Sequence, residues 1–162
     1  FYEPKLLQDT PVSQLYPTEN NAFGPIAYIG KSQAQGIQWL YSRLDLTKLS
    51  ELKHACIQEM TLYVPLWGNS CGSMRYFGLP HRFCSFGSTW SNKIQRGKML
   101  GYSHAEMGYA AIPLNNIYLY QTHLTESDGF VLTSAEHDQS MSTISTADHY
   151  TCPQILRVRY TK

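Results

Sequence analysis

The sequence contains few charged residues. Asp, Glu, Lys and Arg make up 15% of the 162 residues, against about 25% in an average soluble domain. The 13 basic and 12 acidic side chains leave a formal net charge of +1, so the composition offers no basic stripe that would neutralise phosphates. We therefore predict that nucleic acid is not a partner.

Long apolar runs are also lacking. The longest stretch without a charged residue, Met107 to Thr125, is interrupted by Pro113, Asn115, Asn116 and Gln121. A lipid environment would leave these polar groups unpaired. We predict no membrane insertion.

Helical periodicity is scarce, and alternation of apolar and polar residues dominates. The alternating runs are Ile37 to Leu46, Met60 to Val64, Met74 to Phe77, Arg82 to Phe86, Ile117 to Tyr120, Phe130 to Thr133 and Ile155 to Tyr160. Turn-forming Gly, Pro and Asn residues separate them. This pattern predicts an all-β fold, an antiparallel, jelly-roll-like β-sandwich. The only helical expectation is a short turn over Leu49 to His54, and the Ser/Thr-rich stretch from Gln139 to Thr151 is predicted to be a surface loop.

Motifs of catalysis and metal binding are absent. No pair of carboxylates, no Gly-x-Ser-x-Gly elbow and no Gly-rich phosphate loop stands out. A divalent metal held by His104-Ala105-Glu106, Glu136-His137-Asp138 and Asp148-His149 is a weaker alternative than exposed side chains in loops. We predict a non-catalytic protein with no cofactor and no metal.

The four cysteines, Cys56, Cys71, Cys84 and Cys152, have no CxxC or zinc-type spacing, which leaves two disulfides or free core thiols. The chain starts at Phe1 without an initiator Met, so we expect a mature or excised product from an oxidising, extracellular compartment. A Cys71–Cys84 disulfide is favoured, with Cys56 and Cys152 either bonded to each other or free.

Aromatic residues are the best candidates for contact, since Tyr alone supplies 12 residues. In the first alternating run, Trp39, Tyr41 and Arg43 lie on the polar face, opposite Leu40, Ser42 and Leu44. An exposed aromatic ring stacks on a sugar while polar neighbours bind its hydroxyls. The candidate glycan- or partner-contact residues are Trp39, Tyr41, Arg43, Trp67, Tyr118 and Tyr120. The alternatives are packing within the sheet and contact with another subunit.

The order of several motifs resembles DNRLRE-type (disaggregatase-related) β-sandwich modules, similar to carbohydrate-binding-module family 96. The motifs are Asp9 to Ser13, Asn20 to Gly24, Ala27 to Gly30, Arg43 to Leu49, Ile57 to Val64, Thr89 to Asn92, Gly129 to Glu136 and Pro153 to Tyr160. The resemblance implies a jelly-roll-like sandwich and a non-catalytic extracellular module. It also implies a structural, core position for Trp90.

Residues 1–8 precede the first family-like strand, and residues 9–162 form the predicted sandwich domain. This N-terminal arm contains Phe1, Tyr2, Leu6 and Leu7, and we expect it to have no partner within its own domain. An apolar arm can add to the open edge of a neighbouring sandwich. The favoured function is a structural or adhesive subunit of a surface filament, appendage or virion fibre, with copies of itself or polysaccharide as partners. The alternative is an autonomous carbohydrate-binding module of a secreted or cell-surface protein.

Overall fold

The computed structural model describes residues 6–20, 24–34, 36–44, 55–68, 72–80, 88–104, 108–114, 129–135, 140–146, 149 and 151–161. These residues contain strands and no helix. The strands are β1 (Leu6–Ser13), β2 (Ile26–Ser32), β3 (Gly36–Leu44), β4 (Cys56–Trp67), β5 (Ser73–Gly78), β6 (Met99–His104), β7 (Tyr109–Pro113), β8 (Gly129–Ser134), β9 (Met141–Ser145) and β10 (Ile155–Thr161). The expected helical turn at Leu49 to His54 and the expected strands Arg82 to Phe86 and Ile117 to Tyr120 lie outside the described residues.

The strands form one antiparallel sheet that curls on itself. Its order is β10-β4-β9-β2-β3-β8-β5-β6, with β1 added to β3 and β7 added to β4. A bridge between Gly101 of β6 and Leu114, just after β7, joins the two ends of the curl. Because β7 pairs with β4, the sheet encloses its own interior. The prediction of an all-β, antiparallel fold is confirmed.

The interior of the curl is the main hydrophobic core. In β4 the inward residues are Met60, Leu62, Val64 and Leu66, all buried and spaced by two, as the pleat of a strand requires. Across the core, the rings of Tyr76 and Phe130 stack at 5.0 Å between centroids. The other members are Ala27, Ile29, Leu40, Met74, Leu100, Ala110, Ile112, Leu114, Leu132, Ile144, Leu156 and Val158.

A second apolar cluster lies on the outer face of β3, β8 and β5. We call it the outer cluster; it consists of buried Val12, Tyr41, Phe77, Leu79 and Val131, with Trp39, Trp90 and Ile94 packed against them. Strand β1 contributes Val12 to it, and residues 88–97 contribute Trp90 and Ile94. We call residues 88–97 the covering segment. These three strands are therefore buried on both faces, which explains the unbroken apolar run Phe130-Val131-Leu132 in β8.

The expected surface loop from Gln139 to Thr151 is wrong in its first half. Strand β9 pairs with β2 on one side and with the end of β4 on the other. Ile144 and Ser145 are fully buried and Ser142 nearly so. Small hydroxyl side chains fit on a strand that lies between β2 and β4. This central strand therefore needs few large apolar residues.

Part of the expected N-terminal arm lies in the first strand of the domain. Strand β1 begins at Leu6, and Leu6 and Gln8 pair with Leu44 and Arg43 of β3. Leu6 to Gln8 therefore belong to the domain's own sheet. Phe1 and Tyr2 lie outside the described residues.

Candidate functional site

The structure places Trp39 and Tyr41 inside the outer cluster and not on an exposed face. Tyr41 is 1% exposed, and its hydroxyl donates a hydrogen bond to the carbonyl oxygen of Ile94. Burial raises the pKa of Tyr41, with a smaller opposing effect from Arg96. The expectation that the Tyr41 ring is open for ligand contact is wrong, and Trp39 is half-buried, because the covering segment lies over the face that alternation marked as polar. Arg43, on the same face, is half-buried.

Cations hold the covering segment against the aromatic rings. Lys93 Nζ lies 4.0 Å from the centroid of the Trp90 ring, and Trp90 packs on Trp39 at 5.3 Å. Arg96 lies between Trp39 and Phe77, 5.5 and 4.7 Å from their ring centroids. Burial lowers the pKa of Lys93. Such contacts stabilise packing between rings and cations, and Trp90, expected in the core, packs half-buried against the outer cluster.

An exposed aromatic pair lies on the other side of the molecule. Trp67 is the last residue of β4 and is 39% exposed. It pairs with Thr143 of β9, and Thr143 also pairs with Tyr28 of β2, which is 44% exposed. Paired residues share a sheet face, so Tyr28 and Trp67 lie two strands apart on one outer surface, about 10 Å between backbones. We call this pair the aromatic platform.

The orientation of Trp67 is fixed by two contacts. Its indole Nε1 donates a hydrogen bond to Ser145 Oγ at 2.8 Å. The ring of His149 stacks against it, with 5.4 Å between centroids and 24° between planes. A side chain held in this way loses little conformational freedom when a ligand binds, which favours affinity.

His149 is itself held by backbone groups. Its Nδ1 accepts hydrogen bonds from the N–H groups of Cys152 and Thr151, at 3.0 and 3.4 Å. Because Nδ1 accepts, the proton of the neutral ring lies on Nε2. The ring that stacks against Trp67 therefore carries an N–H donor at Nε2.

The end of β9 anchors the whole site. Thr146 donates from its hydroxyl to the Gly24 carbonyl at 2.6 Å and from its N–H to the Pro25 carbonyl at 3.0 Å. The side-chain amide of Gln154 donates to the carbonyl of Ser145 at 2.9 Å and is buried. The backbone at the end of β9, beside the platform, is therefore hydrogen-bonded to residues 24–25 and to Gln154.

Sequence reasoning identified Trp67 and missed Tyr28 and His149. A signal for Tyr28 was available, because the run Ile26-Ala27-Tyr28-Ile29 alternates. This run is short, however, and it follows a Pro. His149 lies in the segment predicted to be loop, so no periodicity marked it. Tyr118 and Tyr120 lie outside the described residues.

The described cysteines do not pair with each other. Cys56 and Cys152 are both free and exposed. Cys56 is level with Thr161 in the β4–β10 ladder, whereas Cys152 precedes Ile155, which is level with Tyr63. They lie at opposite ends of the ladder, roughly 20 Å apart, too far for a disulfide. Cys71 and Cys84, and therefore their expected disulfide, lie outside the described residues.

Within the part of the chain that the structure describes, no group of three or more His, Cys, Asp or Glu residues is placed to hold a metal ion. The same part contains no helix of the length and hydropathy needed to cross a membrane.

No protein-family model matches the chain, and no curated protein sequence matches it.

Proposed function

We propose that the protein is a carbohydrate-binding module and that the aromatic platform is its ligand-binding surface. The observation that supports this most directly is Trp67, an exposed ring whose orientation is fixed by Ser145 and His149 before any ligand arrives. The axial C–H groups of a sugar pack on such a ring, as apolar groups do on other aromatic faces.

The surroundings of the platform suit hydroxyl groups. Half-buried Thr143 lies between the two rings, and His149 stacks beside Trp67. These side chains donate and accept hydrogen bonds. The formal net charge of +1 leaves stacking and hydrogen bonding as the main sources of affinity. We place this activity at the cell surface or outside the cell, where polysaccharide is the available ligand.

A panel of soluble polysaccharides tests the proposal. Affinity electrophoresis with hydroxyethylcellulose, xylan, galactomannan and polygalacturonate should retard the wild-type protein in at least one gel. Trp67→Ala should weaken the binding measured by that retardation by roughly fivefold or more, because stacking on an aromatic ring contributes on the order of 1 kcal/mol or more. Tyr28→Ala should weaken it less.

Tyr16→Ala is the matched control. Tyr16 is 53% exposed but lies beside the covering segment, since the Pro17 carbonyl accepts from Ser91 N–H. Its replacement should leave binding unchanged. Equal binding by wild type and Trp67→Ala would contradict the proposal.

A second candidate function is a structural subunit that exchanges strand β1 between copies. Strand β1 pairs with β3 along its length and is followed by residues 14–20, all of them exposed, including Leu15 at 49%. Exchange would remake the same β1–β3 ladder between two molecules, which is an inexpensive route to association. Such a surface filament could carry the platform on each subunit.

Two truncations test the strand-exchange candidate. Removing residues 1–8 takes the Leu6 and Gln8 pairs from the ladder, whereas removing residues 1–5 leaves β1 intact. Light scattering and negative-stain microscopy should show oligomers of the full chain and of the shorter truncation, and monomers of the longer one. Monomers in all three samples would remove this candidate.

A further inference from the structure

The aromatic surface continues along β4 beyond the platform. Residues 63, 65 and 67 share the outer face of the strand, because the interior takes Leu62, Val64 and Leu66. Pro65 is paired with Tyr109 of β7, and Tyr109 is 45% exposed. The rings of Tyr63 and Tyr109 lie 6.5 Å apart. Tyr28, Trp67, Tyr109 and Tyr63 therefore form one band across β2, β4 and β7.

The far end of this band is a polar groove. The guanidinium of Arg157 lies 5.2 Å from the centre of the Tyr63 ring. Arg159 forms an ion pair with Glu59 at 3.2 Å, and both side chains are about half exposed. Together with Thr61 they line a groove of about 190 Å³. The groove offers both donors and acceptors beside an aromatic ring, the combination that binds a sugar ring with its hydroxyl groups.

We propose that this groove is a second sugar subsite and that the ligand is a linear oligosaccharide lying along the band from Tyr28 to Tyr63. The inference rests on the proposed function of the platform. Trp67 and Tyr63 are four residues apart on one strand, which separates them by about 13 Å along β4, and Tyr28 lies about 10 Å from Trp67 across the sheet, roughly at right angles to β4. One sugar ring cannot reach both ends, so recognition needs a chain of several units.

Chain length should therefore control affinity. Once one unit is seated on Trp67, the next units reach the groove without a new loss of translational freedom, so the two contacts reinforce each other. A short ligand uses the platform alone. A ligand that covers both subsites gains affinity, and this gain depends on Tyr63 and Arg157.

The experiment is calorimetric titration with size-defined oligosaccharides of one to eight units, prepared from whichever of the four panel polysaccharides binds. Affinity should rise by roughly tenfold or more between the shortest binding oligosaccharide and the octamer. Tyr63→Ala and Arg157→Gln should remove most of this rise and leave the shortest binder unaffected. Lys98 is an exposed cation outside the band, and Lys98→Gln is the control. It should change neither the affinity for the shortest binder nor the rise in affinity with chain length.

Tyr63→Phe keeps the ring if the alanine variant folds poorly, and its affinity for the octamer should stay close to wild type. The inference is overturned if affinity is independent of chain length, or if Tyr63→Ala and Arg157→Gln bind the octamer as wild type does while Trp67→Ala does not bind. In that case the platform proposal stands. If no panel polysaccharide binds, or if Trp67→Ala binds normally, the proposed function fails and the inference fails with it.

Discussion

Two buried tyrosines illustrate how much one hydroxyl group can matter. Tyr41 donates to the Ile94 carbonyl, whereas the buried hydroxyl of Tyr76 has no partner at hydrogen-bonding geometry among the residues that the structure describes. Losing a hydrogen bond and leaving its partner unsatisfied costs about 1–3 kcal/mol, but removing an unsatisfied hydroxyl costs little. The same substitution should therefore have different effects at the two positions.

We expect Tyr41→Phe to lower the free energy of unfolding by about 1–2 kcal/mol and Tyr76→Phe to change it by less than about half of that. The aromatic ring at position 76 still stacks on Phe130 after the Tyr76→Phe substitution. Urea unfolding followed by tryptophan fluorescence gives both values. A larger loss of unfolding free energy for Tyr76→Phe would show that the Tyr76 hydroxyl is hydrogen-bonded. Its partner would then be Ser42, whose side chain acts against the rise in the pKa of Tyr76.

The same tyrosines predict alkaline unfolding. Burial raises the pKa of both Tyr41 and Tyr76 above the usual value of 10. A raised pKa in the folded state means that the folded protein keeps protons that the unfolded chain releases. Stability is therefore fully present below about pH 10 and falls as the pH rises above it, by about 1.4 kcal/mol per pH unit for each such group.

Unfolding free energies between pH 8 and pH 11.5 check this expectation. The decline above pH 10 should be shallower in Tyr76→Phe than in wild type, because one linked proton has been removed. Parallel curves would contradict the assignment of the alkaline decline to this residue.

At the scale of elements, the bridge between β6 and β7 is a close approach between two strands of the ring. A Cβ on Gly101 would lie 2.3 Å from the carbonyl oxygen of Pro113, and this oxygen belongs to backbone that cannot rotate away. Gly101→Ala must therefore push β6 from β7. We expect a loss of about 1–3 kcal/mol, the usual cost of overpacking.

Ser103→Ala on the same strand is the matched control, since the Ser103 hydroxyl donates to the neighbouring His104 carbonyl and the residue is half-buried. Thermal unfolding should show a lower Tm for Gly101→Ala and little change for Ser103→Ala. Equal Tm values would mean that the two strands can separate without cost.

The elements also show what sequence pattern could predict. Strands β3, β4, β5, β8 and β10 were expected because each has a clear alternation or a dense apolar run. Strand β9 was missed because Ser and Thr gave no apolar signal, although pairing with β2 and β4 buries it. The outer face of β3 was misassigned for a related reason: Trp39 and Tyr41 are amphipathic, and only the tertiary position of the covering segment makes them core.

For the whole molecule, the order of strands predicts slow folding. Strand β2 pairs with β9, and β4 pairs with β10, so the sheet forms only when residues about 100 positions apart meet. Contacts of this kind require large loops to close first, and all-β proteins with such topology fold in milliseconds to seconds.

Stopped-flow refolding monitored by tryptophan fluorescence should show a main phase in this range. The signal is informative because Trp39 and Trp90 lie in the outer cluster, while Trp67 lies on the exposed platform. A main phase in microseconds would show that local contacts, and not the long-range ladders, limit the rate.

The ladder between β4 and β10 has a mechanical consequence. Trp67 lies at one end of β4, and Thr161 of β10 is level with Cys56 at the other end. A force applied between a ligand bound at Trp67 and the chain at Thr161 would pull the two strands past each other along their length. The hydrogen bonds of the ladder would then carry the load together instead of opening one at a time. In this geometry, tension on a glycan bound as proposed would meet the greatest resistance that the strand pair can offer.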